Sequence, residues 1–135
     1  MLVIILLSSC TRHPIIDKQY LAGNYRSITK NDLKSRLLYK GRGIGTALLL
    51  RADSTFYYKT CATVSWGKWY VKQDSLILKA QDLSWRIKEL NTEEKYIRKK
   101  KESLMKKHFY IIKNDRLFLY LDKDKRIVSE LEKTD

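Results

Sequence analysis

Gly67-Lys68-Trp69-Tyr70-Val71-Lys72-Gln73-Asp74-Ser75-Leu76-Ile77-Leu78-Lys79 holds two short runs of aromatic, β-branched and aliphatic residues around a polar pair. That is the pattern of a tight β-hairpin. With Gln73-Asp74 as the turn, Val71 faces Leu76 and Trp69 faces Leu78, both on one side of the ribbon. Lys68, Lys72 and Lys79 mark the other side as solvated, because successive strand residues point to opposite faces.

The unit repeats. At an offset of 41 residues, Val71–Leu78 aligns with Ile112-Lys113-Asn114-Asp115-Arg116-Leu117-Phe118-Leu119. The inward pairs become Tyr110/Leu119 and Ile112/Leu117. At an offset of 21, Leu50-Arg51-Ala52-Asp53-Ser54 echoes Val71–Ser75 more loosely, within a hairpin over 48–58. Asp53, Asp74 and Asp115 are turn residues on this reading, since an Asp side chain bonds nearby backbone N–H groups.

Other segments fill in around these hairpins. Leu83–Leu90, in which Trp85 and Ile87 alternate with charge, predicts a further strand. Arg126–Leu131 predicts a last one. Asn91-Thr92-Glu93-Glu94 has the spacing of a capping box. The segment 92–107, with Tyr96, Ile97, Leu104 and Met105 as a stripe broken at Lys100 and Lys101, reads as a short amphipathic helix or a basic loop. Residues 29–42 are polar and basic, a long loop or helical turn. The glycines of Gly41-Arg-Gly-Ile-Gly45 lead into a strand-like run rather than a helix, so they lack the context of a phosphate-binding loop.

The chain has 135 residues, 44% hydrophobic and 11% aromatic, enough for one domain with its own core. Successive hairpins make a mainly β antiparallel meander. Eight or nine strands over 20–135 would curl and close, because closure removes exposed edges; a sandwich or half-open barrel is the alternative. Two cysteines, Cys10 and Cys61, exclude a disulfide framework or a Cys-based zinc site. Cys61 reads as a buried small apolar residue. His13 and His108 read as a linker and a strand-edge residue. Neither these histidines nor any Ser-His-Asp order suggests acid–base or nucleophilic chemistry, so the expectation is a protein that is not an enzyme and needs no cofactor or metal.

The formal charge is +13, from 28 Lys and Arg against 15 Asp and Glu. Such an excess favours an anionic partner. The densest cluster is Lys95, Arg98, Lys99, Lys100, Lys101, Lys106 and Lys107, a candidate contact for anionic lipid head groups or an acidic protein.

Met1–Leu7 is apolar but far shorter than the about 20 residues that span a bilayer. It is followed by Ser8-Ser9-Cys10. Leu-Ser-Ser-Cys resembles the lipobox of bacterial lipoproteins. The resemblance implies a signal peptide over 1–9, lipidation of Cys10, and a lipidated tether over 10–19 that contains Pro14. Thr11 after Cys10 implies passage to the outer membrane, facing the periplasm. Gly23-x-Tyr25, Gly67-x-Trp69 and the Asp-turn-Leu-x-Leu hairpins extend the likeness: the chain resembles a small bacterial lipocalin-like lipoprotein. That implies a lipid-anchored envelope protein binding a small apolar ligand or lipid, within a barrel lined by Trp69, Val71, Leu76, Leu78, Tyr110, Ile112, Leu117 and Leu119. The alternative is a structural or interaction protein that works through its basic surface. Export makes nucleic acid an unexpected partner.

Overall fold

The computed structural model describes residues 17–28, 45–120 and 127–134. The leader, Cys10, His13, Pro14, the 29–42 stretch and the first residues of the glycine cluster lie outside them. A helical turn, α1 (Lys18–Leu21), precedes β1 (Gly23–Ser27). Then come β2 (Ala47–Leu50), β3 (Thr55–Lys59), β4 (Thr63–Lys72) and β5 (Ser75–Trp85). A 3-10 helix (Lys88–Thr92) and the helix α2 (Glu94–Leu104) lead to β6 (His108–Lys113), β7 (Arg116–Tyr120) and β8 (Ile127–Thr134).

Each strand pairs antiparallel with the next, and β8 returns to β1, closing an eight-stranded barrel. The hairpin registers follow from the alternation. Trp69 is opposite Leu78 and Val71 opposite Leu76, while Ile112 is opposite Leu117. Gln73 (φ 57°), Asn114 (φ 50°) and Asp115 (φ 64°) take the left-handed conformation in these two-residue turns. In the β6–β7 turn both central residues have positive φ, as the twist-matched type I′ turn requires, and Asn and Asp tolerate it best after glycine; in the β4–β5 turn only the first central residue, Gln73, does. The β2–β3 turn is longer: Asp53 accepts bonds from the Thr55 amide (3.0 Å) and hydroxyl (2.6 Å).

Inward residues form one core. Leu21, Tyr25, Leu48, Leu50, Phe56, Trp69, Leu76, Leu78, Tyr110, Leu117 and Leu131 are buried together. Apolar side chains inside and lysines outside are the reverse of a membrane-spanning barrel's dressing.

The α1 turn closes one end. Tyr25, at the Gly-x-Tyr position, donates its hydroxyl to the Leu21 carbonyl (2.7 Å), and Tyr20 donates to Asp115 at the β6–β7 turn. Lys18 reaches Ser54 (2.7 Å) and lies 5.6 Å from the centroid of the Trp69 ring. Trp69 donates its indole N–H to the Arg51 carbonyl (2.9 Å).

The chain departs from the sequence reading in the middle. There is no separate strand over 83–90. β5 runs without a break from Ser75 to Trp85, with a register shift opposite Trp66 and Gly67. The shift exchanges the faces, so that even-numbered Leu76 and Leu78 and odd-numbered Leu83 are all buried. The strand stops at Trp85 because Asn91 folds back on it, accepting from the Trp85 amide (2.9 Å) and donating to its carbonyl (3.0 Å). Asn91 is thereby taken from the expected capping box; the residue at the start of α2 is Glu93, whose side chain makes no cap bond. Ile87, left beyond the strand, is exposed.

Candidate functional site

The eight residues expected to line a ligand chamber all belong to the interior cluster. Trp69, Leu76, Leu78, Tyr110 and Leu117 are buried, with Val71, Ile112 and Leu119 packed against them. Trp69, Tyr110 and Phe56 are at most 1% exposed, so the α1 half of the barrel is filled by its own large side chains.

Toward the α2 end the interior turns polar. The hydroxyls of Tyr58 and Tyr110 bond each other at 2.7 Å, and Thr46, Ser65 and Ser129 are buried nearby in the strand order. Burial raises the Tyr58 and Tyr110 phenols above the ordinary tyrosine range, Tyr110 well above it. Tyr25 is pushed up to about 12 by the same cause. A phenol that ionises later in the folded protein than in the unfolded chain contributes stability present below pH ~10 and lost as pH rises toward its folded value. Stability should therefore fall from about pH 10 upward, by about 1.4 kcal/mol at pH 11 from Tyr25. Urea midpoints at pH 8 and pH 11 measure this, and Tyr25→Phe should narrow the difference by the Tyr25 share while leaving that of Tyr58 and Tyr110. His108 stands at this mouth, exposed as a residue but with its ring 6.1 Å from that of Tyr58. Lost hydration, then the Lys106 charge, lowers its pKa.

A second feature lies outside the barrel, where α2 packs beside the second half of β5. Trp85, Asn91, Tyr96, Ile97, Lys100, Lys101 and Leu104 line a groove of about 250 Å³. The spacing explains the lining: positions 96, 97, 100, 101 and 104 share one face of a 3.6-residue helix. The two lysines that interrupt the apolar stripe are thus what bring cations to an apolar groove. Trp85 forms the wall opposite, its ring edge-on to Tyr96 (centroids 5.1 Å apart, 75° between planes) and its indole N–H donating to the Tyr96 carbonyl (3.3 Å). Met105, expected on the stripe, is instead 87% exposed beyond the helix end.

The seven candidate anion-contact residues are divided by their surroundings. Lys100 pairs with Asp82 on β5 at 2.8 Å, which fixes α2 to the strand and, chiefly through that hydrogen bond, lowers the pKa of the Asp82 carboxyl. Lys95 and Lys99 lie 5.8 and 5.3 Å from the centroid of the Tyr96 ring. Lys107 leaves the group for the barrel wall, donating to the Tyr70 hydroxyl (3.2 Å). Arg98, Lys101 and Lys106 have no acidic partner among the described residues. Of these three, only Lys101 lines the groove.

Cys61 is exposed rather than buried. It sits in the β3–β4 turn, where the Thr60 hydroxyl accepts from the Ala62 and Thr63 amides and holds the chain outside the core. Among the described residues, no group of three or more His, Cys, Asp or Glu side chains could hold a metal ion.

The fold defines a class, the closed eight-stranded antiparallel meander barrel, which is consistent with a lipocalin-like architecture. No protein-family model, curated protein or solved structure matches the chain.

Proposed function

We infer that this is a lipid-anchored, lipocalin-like envelope protein that acts as a non-enzymatic binding module for an anionic amphiphile, a molecule with an acyl chain and an acidic head. The observation that carries the reading is the groove between α2 and β5, where apolar Trp85, Ile97 and Leu104 adjoin Lys101. An acyl chain would cover the apolar wall while the head group meets the lysine, which is the combination ligand sites use: mostly apolar contact with a few placed polar groups. The lipobox-like Leu7-Ser8-Ser9-Cys10 supports lipidation of Cys10 and placement at an outer-membrane surface.

Titration with dodecanoate, read by tryptophan fluorescence, tests the function. Saturable binding should weaken on the order of 5- to 10-fold in Lys101→Gln, the loss of one charge-assisted contact. Dodecanol should bind the parent more weakly than dodecanoate and be indifferent to the same substitution. Equal binding of the acid and the alcohol by the parent would remove the role of Lys101.

A further inference from the structure

The outer wall of β3–β6 is layered in a way that neither the core nor the groove requires. Cross-strand partners there share a face, so the registers give rows. Tyr57 pairs with Trp66, both about 40% exposed, and Trp66 in turn with Asp82, whose charge is offset by Lys100 of α2. The next row is Lys68 opposite Lys79. The row after that runs Tyr70–Ile77–Phe109. In it Ile77 is covered (4% exposed), while Tyr70 and Phe109 stand out at 36% and 51%. Aromatic, cationic and aromatic rows therefore succeed one another along the barrel wall.

Two details carry charge and chemistry. Like charges directly opposite on neighbouring strands repel and destabilise the sheet. Lys68 and Lys79 have no acidic partner among the described residues, so the wall keeps a repulsion that an external anionic surface would relieve. Lys107 adds a third cation, 5.8 Å from the centroid of the Tyr70 ring. The aliphatic exposure then separates the anionic partners. Met105, in the connection between α2 and β6 that borders the wall, is 87% exposed. Aliphatic and phenylalanine side chains gain from hydrocarbon, and tyrosine and tryptophan from the head-group zone, whereas a nucleic-acid platform uses planar rings for stacking.

We propose that this wall seats on an anionic lipid bilayer, so that the barrel lies on its side on the membrane surface. The wall residues are separate from those that line the groove, and the proposal stands without that reading. Lysine contributes the electrostatic attraction and the two aromatic rows reach the interfacial layer without spanning it.

The test is co-sedimentation of the full chain with vesicles, every variant carrying Cys10→Ala to remove the acylation site. The N-terminal apolar segment is then a background common to all variants. Vesicles containing phosphatidylglycerol should bind the parent more tightly than pure phosphatidylcholine vesicles, and added salt should narrow the gap. Lys68→Gln/Lys79→Gln should weaken binding to the anionic vesicles on the order of 20-fold, about 5-fold for each lysine. Arg26→Gln/Lys88→Gln, which removes the same charge elsewhere, should leave most of the affinity intact. Tyr70→Ser/Phe109→Ser should weaken binding too; if that pair fails to fold, the lysine pair still decides. Parent-like binding by the lysine pair overturns the proposal, as does an equal loss in the control pair. Loss of single-stranded oligonucleotide binding or of self-association in the lysine pair, with vesicle binding unchanged, overturns it in favour of that other partner.

Discussion

Trp69→Ala is expected to lower the free energy of unfolding by about 3–5 kcal/mol, the range for removing a large buried aromatic side chain. Trp69 is 1% exposed and is the largest of the fully buried side chains. Its effect reaches past its own volume. The indole N–H holds the Arg51 carbonyl of the β2–β3 turn, its backbone N–H bonds Ser54 (2.9 Å), and its ring underlies Lys18 of α1. Truncation therefore opens a cavity at the closed end and frees the helical turn that seals it. Trp69→Phe separates the contributions, since it keeps most of the apolar volume and should cost only about 1–2 kcal/mol for the lost bond and poorer fit. Urea denaturation followed by far-UV circular dichroism measures both. Equal losses in the two variants would place the stabilisation in the hydrogen bond rather than in packing.

Gly67→Ala should be comparably damaging, although it adds one carbon. A Cβ at Gly67 would lie 2.1 Å from the Lys79 carbonyl oxygen, and 2.8 Å from both the Ala80 Cα and the Gln81 nitrogen. All three are backbone atoms, so no rotamer change relieves the clash. The β4–β5 ladder must open at its register shift, at a cost of at least about 3 kcal/mol, the upper end for an overpacked site. Beyond the shift, β5 carries Asp82 and Trp85 to α2. Any Gly67→Ala protein that still folds should therefore bind dodecanoate more weakly than its residual stability suggests. Thermal unfolding paired with the amphiphile titration checks this, and a variant with parent-like Tm would contradict it.

Much of the barrel is written in local pattern. Trp69 and Leu78, or Ile112 and Leu117, lie within ten residues of each other around polar turn pairs, so alternation alone places them face to face. The misplaced elements depended on contacts that alternation does not encode. The register shift at Gln81 needs the close approach of Gly67, and the stop at Trp85 needs Asn91 to spend its side chain backward rather than on a helix cap. Cys61 follows composition in being small and apolar, but its position is set by the Thr60 bonds around it. The groove was partly legible. Lys100 and Lys101 look like flaws in an apolar stripe until Trp85 and Asp82 are placed opposite them.

Native mass spectrometry of the protein extracted from membranes tests the central claim most directly. The expected mass is that of the chain from Cys10 with acyl groups added, together with a bound acidic amphiphile that dissociates on activation and is depleted in Lys101→Gln. Acylated protein free of any ligand, or a neutral ligand retained equally by Lys101→Gln, would contradict it.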